Sequence, residues 1–146
     1  MGAPEIRETT APEIGQVASA TEYDKNERSL QLALAAAQTA AEDRGKDILV
    51  LDLRDLTCIF DYFVIASGSS RRQLHAISED IDHKLEDELG DKRMGIEGYR
   101  ESSWILLDYG TIVIHLFEES TREYYSIEKL WGEAKHVPWE ELSGHN

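Results

Sequence analysis

The sequence predicts a single α/β (α+β) domain whose elements run α-β-β-α-β-β-α. Three observations carry this. Residues 26–47, NERSLQLALAAAQTAAEDRGKD, are rich in Ala, Leu and Gln at helical spacing. The runs Ile48–Leu53 and Asp61–Ser67 are short and apolar, in the manner of buried strands. WILLDYGTIVIHLF, residues 104–117, sets two apolar runs around a Tyr-Gly pair, as a β-hairpin does.

The first 25 residues hold Pro4, Pro12 and scattered Glu, Ser and Thr without a helix or strand period, so a disordered tail is expected there. The domain is expected over 26–131 and a polar C-terminal extension over 132–146. In the first helix Leu30, Leu34, Ala37 and Ala41 recur on one face. Asn26 is the expected N-cap and Gly45 the expected stop. ILVLDL reads as a strand buried on both faces, joined through RDLTCIF to the strand DYFVIAS. A second helix is expected over 70–89, with Leu74, Ile77, Ile81, Leu85 and Leu89 as its apolar stripe and Gly90 ending it. A polar loop, then the hairpin, then a partly helical EESTREYYSIEKLW complete the chain.

Charge narrows the partners. The 146 residues carry 29 acidic and 15 basic side chains, a net charge of −14. Nucleic-acid affinity comes from Lys and Arg neutralising phosphates, so little direct nucleic-acid contact is expected. Two readings fit the charge: solubility, or steering toward a basic protein surface. No apolar run approaches the roughly 20 residues that span a bilayer, and the N-terminus lacks a secretory h-region. A cytoplasmic protein with no membrane contact is expected, and the single Cys58 fits a reducing compartment.

Several motifs invite chemistry. Ser67-Gly68-Ser69-Ser70-Arg71-Arg72 turns from a strand into a helix, where a phosphate can sit. A phosphate loop needs more glycine and a Lys, and a dinucleotide fold needs three spaced glycines. Ser70 and Gln73 instead form S-x-x-Q, a capping box, with Gly68 easing the turn. Arg71 and Arg72 oppose the helix dipole and keep an anion open as the other reading. A nucleotidyltransferase-like enzyme at this turn would need paired carboxylates on a strand. Asp80 and Asp82 lie on a helix about 200° apart and cannot share a metal. His75, Glu79 and His83 form a solvated stripe away from the apolar face. Cys58 sits in an apolar setting typical of a structural cysteine, although a spatial pair with His115 stays open. No catalytic residue, metal or cofactor is expected.

With Tyr109-Gly110 as the turn, Asp108 pairs with Thr111, Leu106 with Val113 and Trp104 with His115. Ile105, Leu107, Ile112, Ile114 and Leu116 then make a purely aliphatic core face. The opposite face carries Trp104, Leu106, Asp108, Thr111, Val113, His115 and Phe117. That mixture suits either a protein interface with aromatic anchors or a covered face with a satisfied histidine.

DYFVIASGSSRRQ, the pattern W-x-L-x-D-x-G-x-x-V-x-H over 104–115, and R-x-x-Y-x-x-E-x-L-W over 122–131 together resemble the ribosomal silencing factor family, RsfS or Iojap. The likeness covers roughly residues 28–131. It implies a central mixed sheet flanked by helices, related to the nucleotidyltransferase fold but without its catalytic carboxylates. It implies a non-enzymatic translational repressor. Such a protein binds the large ribosomal subunit through the L-fourteen ribosomal protein, blocks joining of the small subunit, and lowers translation under nutrient limitation. It also allows a homodimer away from the ribosome. Trp104, Asp108 and Tyr125 match the family's partner-binding positions, and Tyr109 on the turn is a neighbouring candidate. Two alternatives remain: a nucleotide-binding enzyme using the SGSSRR turn, and a large-subunit assembly factor using the same docking surface.

Overall fold

Side chains alternate along a strand, and here that alternation sorts the apolar residues into two layers, one on each face of a sheet. The computed structural model describes residues 16–98 and 103–144. Among them six strands form one mixed sheet. They are β1 (Lys46–Asp52), β2 (Tyr62–Gly68), β3 (Gly95–Glu97), β4 (Trp104–Asp108), β5 (Ile112–Glu118) and β6 (Lys135–His136). Their order is β3-β4-β5-β2-β1-β6. Strands β2 and β5 run parallel at the centre, and the other neighbours pair antiparallel. The expected single domain, a mixed sheet flanked by helices, is what forms.

Helices α1 (Arg28–Glu42) and α2 (Arg71–Asp82) cover one face. Their contacts are Leu30, Ala33, Ala37 and Ala40 from α1, and Leu74, Ile77 and Ile81 from α2. These meet Val64, Ile105, Leu107, Ile112, Ile114 and Leu116 of the sheet. Alanine on α1 brings that helix close, and each fully buried Leu or Ile contributes about 1.5–3 kcal/mol. After Asp82 the second helix widens into a π-type turn over His83–Glu88 before Gly90, at φ 75°, stops it. The other face carries a second layer of Leu51, Leu53, Phe63, Ile65, Val113 and Phe117. Among the described residues short pieces cover it: α3 (Glu119–Tyr125), α4 (Ile127–Leu130) and the chain after them. A last helix, α5 (Trp139–Leu142), packs Leu142 into the first layer.

Several local expectations shift. The α1 N-cap is Glu27, not Asn26: its carboxylate accepts the Leu30 N–H at 3.3 Å and the Tyr62 hydroxyl at 3.2 Å. At the other end Arg44, not Gly45, takes the left-handed conformation, at φ 67°. The Gly45 N–H reaches back to the Ala40 carbonyl at 2.7 Å and the Arg44 N–H to Ala41 at 3.0 Å, a Schellman closure. Gly45 is demanded by proximity instead, since a Cβ there would lie 2.9 Å from the Ala40 oxygen. Strand β1 is buried only over Val50–Asp52; it starts exposed at Lys46, with an irregular pairing where Asp47 has positive φ.

Two short strands escaped the sequence. Residues 95–97, in the expected polar loop, pair with β4, and residues 135–136, in the expected polar extension, pair with the buried end of β1. Neither has the length or alternation that announces a strand. The expected tail divides likewise. Residues 1–15 lie outside the described residues. Residues 16–25 dock on the domain: Ala18 N–H donates to the His136 carbonyl at 2.9 Å, and the Tyr23 hydroxyl donates to Asp52 at 3.1 Å. Cys58 is exposed in the β1–β2 loop, not in a structural apolar setting.

Candidate functional site

The strand-to-helix turn at Ser67–Arg72 is a cap. Ser70 Oγ accepts the Gln73 N–H at 3.1 Å, as expected. Gln73 Oε1 returns to Ser69, accepting its N–H at 2.7 Å and its hydroxyl at 3.0 Å, one residue earlier than in a standard capping box. The amide of Gln73 donates to the carbonyls of Asp43 and Arg44, both at 3.1 Å, tying the end of α1 to the start of α2. A Cβ on Gly68 would meet Leu74 Cδ2 at 2.8 Å, so glycine serves helix packing here. Two donors of the turn, the Ser69 N–H and hydroxyl, are thus engaged with Gln73. Of the expected solvated stripe, Glu79 on α2 and His83 at the start of the π-type turn are exposed, whereas His75 is half-buried; His83 Nδ1 lies 2.7 Å from Asp87.

The hairpin is built as expected in its faces and not in its turn. Asp108 pairs with Val113 and Trp104 with Phe117, so the two-residue turn is Gly110-Thr111, closed by Tyr109 N–H to the Ile112 carbonyl at 3.0 Å. Glycine at the first central position, φ 91°, suits the mirror-image turn that hairpin twist favours. The pairing slides by two residues in sum, which preserves parity and therefore which side chains share a face. Asp108 Oδ1 accepts the Gly110 N–H at 2.8 Å and fixes the turn.

The slide changes the place of Tyr109. It joins Ile105, Leu107 and Ile112 in the helix-covered layer and is 5% exposed. Its hydroxyl donates to Asp82 Oδ1 at 2.9 Å, and Asp82 also pairs with Arg93 at 3.3 Å. Burial and the Asp82 carboxylate push the phenol pKa well up. Tyr109 is a core residue, not an exposed contact on the turn.

The other three candidates stand on the second face. Trp104 is half-buried, its ring 4.8 Å from Phe117 and 4.8 Å from Tyr125. Its indole N–H donates to His115 Nδ1 at 3.2 Å. His115 is buried, edge-on to Phe63 at 4.6 Å, and burial lowers its pKa to about 4. Phe63 continues the aromatic row to Phe60 and Trp131. The face was open between interface and covered core. Toward β2 and β1 it is covered by Ile127, Trp131 and Ala134; toward β4 Trp104, Leu106 and Asp108 stay partly open. Tyr125 is 48% exposed and Tyr124, packed edge-on against it, is 82% exposed. Leu130 and Met94 are likewise exposed. Sequence reasoning missed Tyr124, whose signal was its place beside Tyr125 on a short helix.

The R-x-x-Y-x-x-E spacing now has a physical account. Arg122 is buried; its Nε lies 3.3 Å from Glu128 Oε2 and its Nη1 donates to Ser67 Oγ at 2.9 Å. Ser126, left-handed at φ 48°, breaks α3 from α4 so that Arg122 and Glu128 can meet. The clamp fixes α3 to β2, and Tyr125 on its last turn is thereby laid over Trp104.

Comparison with known proteins agrees with this frame. Residues 26–146 match the family model described as ribosomal silencing factor during starvation, RsfS. The chain is 42% identical over 110 residues to the ribosomal silencing factor RsfS of Bacillus subtilis, covering 75% of this chain and 90% of that one. A crystal structure of a Chromobacterium violaceum protein superposes with a TM-score of 0.67 at 36% identity, over 72% of this chain and 87% of the other. The mouse protein called mitochondrial assembly of ribosomal large subunit protein 1 is 39% identical over 93 residues, 62% of this chain and 40% of its own length. The family is named for silencing and not for an enzymatic reaction, and no helix among the described residues is long and apolar enough to cross a membrane. By fold, by motif and by similarity along most of its length, the chain belongs to the ribosomal silencing factor family.

Proposed function

We propose that this protein binds the large ribosomal subunit through the L-fourteen ribosomal protein, in the cytoplasm, and sterically blocks joining of the small subunit. The observation that carries the reading is the uncovered half of the second sheet face. There Trp104, Leu106, Tyr125 and Tyr124 form a continuous, partly exposed apolar surface with the Asp108 carboxylate at its rim. Aromatic anchors in such a patch concentrate binding energy, and a rim carboxylate selects a Lys or Arg opposite. The net charge of −14 speeds encounter with a basic ribosomal protein and disfavours rRNA.

The test is co-sedimentation with purified subunits, paired with light scattering of subunit joining. Wild type should pellet with the large subunit alone and slow joining. Trp104→Ala should weaken binding by about 2 kcal/mol. Asp108→Lys would also lose the acceptor for Gly110, so Asp108→Asn is the cleaner charge probe. Pelleting with neither subunit sinks the proposal. Assembly of the large subunit is the second reading, favoured by the name of the mouse relative. Binding to precursor particles without any effect on joining would select it.

A further inference from the structure

We propose that His115 is a positioning residue for the docking surface: its Nδ1 holds the Trp104 indole in one orientation and so fixes which edge of the ring meets the partner. The inference rests on the docking reading above and deepens it.

Trp104 is held by ring contacts on its faces, Phe117 at 4.8 Å and 29°, and Tyr125 at 4.8 Å and 47°. Face contacts of this kind set the plane of a ring but carry no directional preference for its N–H, which a half-turn about the Cβ–Cγ bond would swing to the opposite side. The bond from Trp104 Nε1 to His115 Nδ1, 3.2 Å, is a directional contact that tells the two orientations apart. An accepting Nδ1 requires a neutral imidazole with its proton on Nε2. That Nε2 is buried and has no hydrogen-bond partner among the described residues. His115 itself is 4% exposed, between Phe63 and Phe117. A buried unpaired donor is unfavourable, and a phenyl ring in that slot would avoid it. The polar role left to His115 is therefore the one it performs for Trp104. Burial keeps the ring neutral at physiological pH, so the acceptor is always available.

The experiment compares three variants of the full chain. His115→Phe keeps a ring and removes the acceptor. His115→Asn places an amide oxygen near the Nδ1 position. His115→Gln reaches the Nε2 position instead, and serves if the Phe variant fails to fold. The first readout is the indole N–H resonance of Trp104, assigned with Trp104→Phe, and its hydrogen-exchange rate in the free protein. The second is affinity for purified large subunits. The expected result is exchange at least about tenfold faster in the Phe or Gln variant, affinity about tenfold weaker at unchanged melting temperature, and recovery of both within about threefold in the Asn variant. Unchanged indole exchange in His115→Phe overturns the inference. So does equal loss in Asn, Gln and Phe, which would mark a packing role only. Absence of wild-type pelleting would refute the docking reading by itself, while the indole exchange still judges the His115–Trp104 bond.

Discussion

Replacing Arg122 by Met removes one half of the buried clamp that holds α3 to the sheet. The Arg122 side chain is 8% exposed and its partner Glu128 is 22% exposed. Breaking a buried ion pair from one side costs about 3–5 kcal/mol, because the remaining charge is stranded. Glu128 retains some water contact, which moves the loss to the lower end, about 3 kcal/mol. The charged hydrogen bond to Ser67 Oγ accounts for about 1.5 kcal/mol of that. Neutralising the stranded partner with Glu128→Gln should restore at least about 1 kcal/mol in the double variant. Urea unfolding followed by circular dichroism at pH 7, across the four corners of the cycle, measures both quantities. A loss under about 1 kcal/mol in Arg122→Met, or single losses that simply add, refutes the clamp. Tyr125 would then owe its place over Trp104 to something else.

Three other expectations follow from particular contacts. Tyr109→Ala should lose about 3–5 kcal/mol and Tyr109→Phe about 1–2 kcal/mol, with the large-subunit affinity of the folded protein unchanged; weaker binding by a stable Tyr109→Phe would return this residue to the surface. Gly45→Ala should lose about 1–3 kcal/mol, because the added Cβ meets a backbone oxygen that cannot turn aside; a neutral result in thermal melts would show that α1 can shift. Acidification should expose two opposed groups. Burial lowers the His115 pKa to about 4, so between pH 6.5 and 4 the unfolded chain takes the extra proton and stability falls with pH, by up to about 3 kcal/mol. Burial, then the neighbouring Asp80 carboxyl, raises the Asp43 pKa to about 6, so between pH 6 and 3.8 the folded state takes the proton and stability rises as pH falls. Relative to wild type, His115→Asn should gain and Asp43→Asn should lose stability on acidification to pH 4.5; parallel profiles for the two variants would contradict both assignments.

The sequence by itself determined the long elements, because helix and strand periods are properties of neighbouring residues. The apolar stripe of α2, the Ser70 cap, the Gly90 stop and the two faces of the hairpin were all legible in it. So were Trp104 and Asp108 as members of the mixed face, since side-chain parity survives a two-residue slide of register. That same slide was invisible, and it alone moved Tyr109 from turn to core. Strands β3 and β6 carry too few residues for any period to appear; they exist because a neighbouring strand offers them a ladder. Residues 16–25 resemble a tail in composition, yet Tyr23 finds Asp52 across 29 positions. Arg122 reads as a surface cation until Ser67, 55 residues away, and Glu128 enclose it. Which half of the second face stays open was likewise decided in three dimensions, by where Trp131 and Ile127 come to rest and where they stop. Local periodicity chooses what a segment is; only the assembled chain chooses what covers it.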